Sequence, residues 1–341
     1  MPRCRALDNQ VHVTIDGYYK PCCAFGEHST AFPVADYTPQ EYLSSDYVKE
    51  IKQTMHTGWH EGCESCRINE QSRSQSVRQT YNFLCRNASD IELLDLNLNN
   101  DCNLSCRMCS SLNSSKWAEL LNEPLTNKNN FDNLTKNLHN LKHIKYQGGE
   151  PFITREIVEV LEYIANNKCE FSFSTNCTVF PEKYLHLLDK SRFLYVTFSI
   201  DGIGSTNNYI RHGKSWRRTG TVFSLWIDWL KNKKCFKNIN TVVQAYNFHD
   251  LENIKEFAAQ NKVNWNGLII QDIPEFTLNA LPESYIEQTK NDTNIKYLVD
   301  YKFNYDLYKK LKQRTAEHDA LLGKRLQDYN PALHKVFCDL E

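Results

Sequence analysis

Along this 341-residue chain, stretches in which apolar and polar positions alternate are interleaved with stretches at helical spacing, and their order predicts the architecture. From residue 91, "IELLDLNL" alternates and predicts a strand. "HIKYQ", "EFSFST", "FLYVTFSI", "NINTVVQAY" and "NGLIIQ" predict five more. The fourth, "FLYVTFSI", is apolar enough to be read as buried on both faces. Helical patterns lie between them. In "ITREIVEVLEYIANN", Ile153, Ile157, Val160, Leu161 and Ile164 share one face, with Glu156, Glu159 and Glu162 opposite. "PEKYLHLLDKS" opens a helix with proline in its first turn; "WRRTGTVFSLWIDWLKN" and "DLENIKEFAAQN" add two more.

Strand and helix in series imply a parallel sheet with right-handed crossovers, and six units are fewer than the eight of a closed barrel. The expected fold is α/β: a partial (β/α)6 TIM-like barrel over residues 91–274. Before it lie an irregular cysteine-rich stretch, 1–70, and a polar linker helix, 71–90. After it, 275–341 reads as a mainly helical extension.

Composition narrows the function. The chain is 41% hydrophobic and 24% charged, ordinary for a globular protein. Its formal net charge of −1 creates no bulk field toward nucleic acid or anionic membrane. No apolar run approaches the ~20 residues that span a bilayer, and "MPRCRALDNQ" lacks the apolar core of a signal peptide. The expectation is a soluble, cytoplasmic protein. Thirteen cysteines are many for that compartment, where thiols stay reduced; the odd count and the adjacent Cys22 and Cys23 do not suit a disulfide scaffold. Metal or cluster binding is the expectation.

"NNDCNLSCRMCSS" places Cys102, Cys106 and Cys109 at C-x3-C-x2-C directly after the first predicted strand, where active-site loops of α/β folds sit. Iron–sulfur clusters are held by cysteine thiolates. Three thiolates on a four-iron cube leave one iron for an exogenous ligand, as a catalytic zinc keeps an open position. A zinc site completed by His139 or His143, or inert buried cysteines, are the alternatives. Polar groups recur at successive strand ends: Gly148, Gly149 and Glu150 in "YQGGEP", Ser174 and Asn176 in "FSTN", Ser199 and Asp201 in "FSIDG". Glu150 can accept hydrogen bonds from an ammonium, Asp201 can pair with hydroxyls, and Arg211 in "YIRHGKSW" can fork a carboxylate. A turn and helix caps are the plain alternatives.

With these residues in view, residues 91–270 resemble a radical SAM enzyme. The resemblance implies a 4Fe–4S cluster on Cys102, Cys106 and Cys109 and S-adenosylmethionine on the open iron. One-electron cleavage of the sulfonium then gives a 5′-deoxyadenosyl radical that abstracts hydrogen from a substrate. Cofactor contacts would come from Gly149 and Glu150 (methionyl amine), Ser174, Ser199 and Asp201 (ribose or carboxylate) and Arg211 (carboxylate), with Gly148 and Asn176 also at the cofactor. Met108 stands where an aromatic residue commonly meets the adenine.

The N-terminal cysteines, Cys4, Gly17-x4-Cys22, Cys23 and Cys63-x2-Cys66, resemble the auxiliary-cluster domains called SPASM or, when shortened, twitch, although here they precede the barrel. Cys4, Cys22, Cys63 and Cys66 would close a second cluster, with Cys23 as the alternative to Cys22; a structural Cys4 zinc site is the competing reading. That domain leans the substrate toward a peptide or protein, or a small metabolite, and family analogy supplies a flavodoxin or ferredoxin as reductant. Gln244, Asn247 and Gln271 are weak substrate candidates. Cys85, Cys169, Cys177, Cys235 and Cys338 have no partner spacing, although Cys177 follows "STN" at a strand end. The other class left open is a non-catalytic iron–sulfur or zinc protein acting in redox sensing or RNA binding; for RNA the basic stretches "RHGKSWRR" and "KNKKCFK" are the local support, and net charge near zero argues against it.

Overall fold

The computed structural model describes residues 2–26, 29–71, 76–85, 90–124, 131–135, 138, 141–270 and 272–340. Its strands are β1 (Gln10–Val13), β2 (Tyr19–Lys20), β3 (Leu93–Asn97), β4 (Ser105–Cys106), β5 (His143–Gln147), β6 (Glu170–Thr175), β7 (Phe193–Ser199), β8 (Arg211–His212), β9 (Cys235–Val243) and β10 (Asn264–Ile269). All six strands expected between residues 91 and 274 are present, as β3, β5, β6, β7, β9 and β10, with helices between them. The α/β class and the helical C-terminal stretch are as the patterning implied.

The chain divides into two compact units. The first comprises Met1–Asp101, Pro124–Phe173 and Pro181–Tyr195. In it β1, β3, β5 and β6 run parallel in that order, with β2 antiparallel on β1. The boundary expected after residue 70 therefore falls inside this unit, because β1, from the cysteine-rich stretch, bonds to β3 from Gln10↔Leu93 to Val13↔Leu96. Side chains alternate along these strands. Leu94, Leu96, Ile144 and Tyr146 are fully buried, whereas Asp95 faces Lys145 and Asn97 faces Gln147 across the β3–β5 pair. Helix Ile157–Asn167 buries Ile157, Val160, Leu161, Ile164 and Ala165 and ends at Lys168, which takes the left-handed conformation. Ile153, expected to start this stripe, lies instead in a short 3-10 turn, Pro151–Ile153, and is exposed.

The second unit comprises Cys102–Glu123, Ser174–Phe180 and Val196–Glu341, so the expected boundary after residue 274 also lies within a unit. Here β9 and β10 pair in parallel, and β4 and β8 form a short antiparallel ribbon. Strand β7 is not buried on both faces: Leu194, Val196 and Phe198 are buried, and the residues between them are partly exposed. Strand β9 ends at Val243 and not at Tyr246, because Gln244–Asn247 closes a turn: Gln244 N donates to Asn247 Oδ1 at 2.9 Å and Asn247 N to the Gln244 carbonyl at 3.1 Å. The long helix Tyr305–Leu322 is capped by Asn304, whose side-chain oxygen accepts from Asp306 N and Leu307 N. Among the described residues no helix is long and apolar enough to cross a membrane.

Candidate functional site

Within the second unit, the loop from Cys102 to Cys109 is pinned at several points. Ser115 Oγ accepts from Cys102 N and donates to the Cys102 carbonyl, both at 3.0 Å. Ser114 caps the following helix and donates to the Leu104 carbonyl at 2.6 Å. Trp117 Nε1 donates to the Cys106 carbonyl at 2.8 Å, and Cys109 N closes a turn onto that same carbonyl at 2.9 Å. Between the cysteines, Arg107 is 1% exposed. Its Nε donates to the Tyr209 carbonyl at 2.9 Å, its guanidinium lies 3.6 Å above the Tyr209 ring, and it forms an ion pair with Asp319 of the long C-terminal helix.

Each thiol has its own environment. Asn176 Nδ2 approaches Cys102 Sγ at 3.8 Å and donates to Asn103 Oδ1 at 3.0 Å; Thr178 Oγ1 joins the triangle through Asn176 Oδ1 at 2.6 Å. Arg211 Nη1 donates to Cys106 Sγ at 3.9 Å. Burial pushes the Cys106 thiol up, and Arg211 opposes that rise. Cys109 is likewise raised by burial, against a backbone N–H from Ser110 and the Arg211 charge. Such thiols suit a cationic metal group that replaces their protons. Among the described residues no three His, Cys, Asp or Glu side chains gather closely enough for a single metal ion. A cube puts each thiolate on a different iron, so its cysteines need not converge on one point.

Of the other expected residues of this unit, Met108 and Ser199 are partly buried, Ser174 is exposed and Asn176 is buried. Asp201 is fully buried; its Oδ1 accepts from Val242 N at 2.7 Å, and Arg211 Nε stands 2.7 Å from its Oδ2. The arginine expected to fork a ligand carboxylate thus already holds one from its own chain. Asn247 donates its amide to the Asp201 and Val242 carbonyls at 3.0 and 2.9 Å, which braces the strand end. Gln244 is also fully buried, with its Oε1 unpartnered. Cys177 is buried with φ of +58°. Gln271 and His139 lie outside the described residues.

In the first unit, the Gly148–Glu150 turn is fitted to the segment that leads into the cysteine loop. Gly148 and Gly149 have φ of +86° and +42°. A Cβ on Gly148 would collide with Asn97 Oδ1, and one on Gly149 with the Asp101 carbonyl oxygen. Glu150 N donates to that same carbonyl at 2.7 Å, and the Glu150 side chain is fully buried. His143 is engaged elsewhere: its Nε2 lies 2.6 Å from Ser172 Oγ and its ring stacks on Tyr195.

A second constellation stands in the same unit. Cys4, Cys22, Cys63 and Cys66 line one cavity, together with Met55, Trp59, Arg78 and Tyr81. Burial raises the Cys4 thiol to about 11, with the Ala6 N–H pulling down and Cys66 pushing up. Burial, then Cys23 and Cys4, raise Cys22 well above its ordinary value. Burial also raises Cys66, although the Arg78 N–H is directed at its sulfur. Four thiols on one cavity, with backbone N–H groups aimed at three of them, are a donor set suited to a cluster, in which each thiolate takes a different iron. Between the two adjacent cysteines the geometry discriminates: Cys22 lines the cavity, whereas Cys23 Sγ meets Lys145 Nζ at 3.5 Å and Tyr81 OH at 3.6 Å.

Asp95, Lys145, Arg107, Asn103 and Thr178 had not been singled out from the sequence. Asp95 and Lys145 were visible as charges at polar positions of alternating strands, and Asn103 and Thr178 as amide and hydroxyl groups beside cysteines. The partner of Arg107 lies 212 residues away in sequence, beyond any local signal.

Comparison with known proteins bears on this geometry. Residues 96–258 match the radical SAM superfamily. No curated protein matches the chain. Among solved structures, SuiB of Streptococcus suis bound to S-adenosylmethionine is similar at 16% identity, over 81% of this chain and 54% of that one, with a TM-score of 0.40. The anSMEcpe structure with bound AdoMet is similar at 17% identity, over 68% of this chain and 64% of that one, with a TM-score of 0.45. The chain therefore spans between half and two thirds of these structures' length. The matched residues 96–258 hold the three-cysteine loop, the Gly-Gly-Glu turn and Asp201.

Proposed function

We propose that this chain is a radical SAM enzyme that acts on a peptide, a protein or a small metabolite. Cys102, Cys106 and Cys109 would hold the 4Fe–4S cluster. When bound, the cluster and S-adenosylmethionine supply the one-electron sulfonium cleavage and the 5′-deoxyadenosyl radical that takes a hydrogen atom from the substrate. The chain's own residues do the holding. Asn176 and Arg211 address the Cys102 and Cys106 sulfurs. Gly149 and Glu150, on the turn fitted to Asp101, are suited to receive the methionyl amine. Ser199 stands at the strand end where ribose or carboxylate contacts are expected. The observation that carries the reading is the C-x3-C-x2-C loop itself: three thiols, two of them met by N–H donors from other segments, within the matched domain.

The N-terminal cavity supports a second, auxiliary cluster on Cys4, Cys22, Cys63 and Cys66, closed by four thiolates and so suited to electron relay and not to binding substrate. The lean toward a peptide or protein substrate rests on that cavity. A flavodoxin or ferredoxin would supply the electron, and the chain would work in the cytoplasm. Iron, zinc and acid-labile sulfide counts on anaerobically reconstituted protein test the metal content. Eight irons per chain support both clusters, four irons with one zinc remove the auxiliary one, and none removes the reading.

A further inference from the structure

We propose that the Arg211–Asp201 pair is an electrostatic control on the cluster, acting through Cys106, and that Arg211 is not spent on a ligand carboxylate. The inference rests on the radical SAM reading and deepens it.

Cys106 and Arg211 are direct register partners across the β4–β8 ribbon. Next to that pair, Arg107 N donates to the Ile210 carbonyl at 2.9 Å. Backbone pairing therefore sets the approach of Arg211 Nη1 to Cys106 Sγ, 3.9 Å. The other edge of the guanidinium faces Asp201, with Nε 2.7 Å from Oδ2. Asp201 is itself held by Val242 N on its side chain and Asn247 Nδ2 on its carbonyl. Arg211 is 9% exposed and Asp201 0%. With Nε on a fixed carboxylate and Nη1 on sulfur, the guanidinium charge is directed at groups of the chain itself.

The consequence has a sign. Reduction adds negative charge to a cluster, so a buried cation and an N–H directed at a ligating sulfur both favour the reduced form and raise its potential; a buried carboxylate lowers it. Arg211 and Asp201 therefore act in opposition.

The test is an EPR-monitored redox titration of reconstituted wild type, Arg211→Met, Arg211→Lys and Asp201→Asn, with S-adenosylmethionine affinity measured on each by its perturbation of the cluster signal. The expected result is a midpoint potential shifted negative in Arg211→Met, between that and wild type in Arg211→Lys, and positive in Asp201→Asn, with affinity within about threefold throughout. Should Arg211→Met fail to load, the Lys and Asn variants still carry opposite predicted signs. An unchanged potential with a tenfold loss of affinity in Arg211→Met would make Arg211 the carboxylate clamp and overturn the proposal. Shifts of the same sign in Arg211→Met and Asp201→Asn overturn it too. A wild-type chain that takes up no cluster overturns the radical SAM reading and this inference with it, so the two failures are distinguishable.

Discussion

Asp95 and Lys145 are register partners on neighbouring parallel strands, and their charged groups stand 3.1 Å apart. Tyr81 OH donates to the same carboxylate at 2.6 Å, and His12 Nδ1 lies 3.5 Å from it. Burial alone would raise the Asp95 pKa; Lys145 and His12 outweigh it and hold the carboxyl below its usual range. Asp95→Asn leaves a largely buried ammonium uncompensated and is expected to cost about 3 kcal/mol in chemical unfolding. The double variant Asp95→Asn with Lys145→Met should lose less than that single change, because no charge is then left unpaired. A double variant as unstable as the sum of the two singles would deny the coupling.

Acid should weaken the first unit at a particular place. Burial, reinforced by Lys145, lowers the His143 pKa to about 3, well under an unperturbed ~6.5. The unfolded chain then takes up this proton at a higher pH than the folded one. Stability from this residue is thus complete above about pH 6.5 and declines as pH falls toward the folded value, by roughly 2–3 kcal/mol between pH 6.5 and 4.5. His143→Gln should flatten that slope in urea melts taken across the range; an unchanged slope would show that other groups carry it.

The Arg107–Asp319 pair ties the cysteine loop to the C-terminal helix. Arg107 has no exposed surface in which to rehydrate, and its Nη1 is without a partner. Asp319→Ala should cost about 3–5 kcal/mol and lower the melting temperature of apoprotein and loaded protein alike. A melting temperature within a degree of wild type would show that the helix does not brace the loop.

Cys22 and Cys23 should behave differently despite being adjacent. Cys22→Ser is expected to abolish metal uptake at the N-terminal site, because Cys22 lines the four-cysteine cavity. Cys23→Ser should keep it, because its sulfur faces Lys145 and Tyr81. Metal analysis of the two variants decides, and the reverse order of loss would assign the ligand to Cys23.

Much of this was legible in the sequence. The six strands and the helices between them follow from period-2 and period-3.6 patterning, which burial enforces locally. The three-cysteine loop and the Gly-Gly-Glu turn are contiguous, so spacing alone exposed them. Less legible was whatever depends on pairing at a distance. That β1 joins β3 is a choice among strands that no local pattern specifies. Alternation overruns the end of β9 because Asn247 offers Gln244 N a side-chain acceptor that competes with the ladder. Arg211 reads from sequence as a free fork, and only folding brings Asp201 and Cys106 against it.

The central claim is tested most directly by incubating anaerobically reconstituted protein with S-adenosylmethionine and dithionite, with candidate peptides supplied, and quantifying 5′-deoxyadenosine. The account predicts its formation by wild type and its loss when Cys102, Cys106 and Cys109 are all replaced by alanine. Undiminished 5′-deoxyadenosine from that triple variant would contradict it.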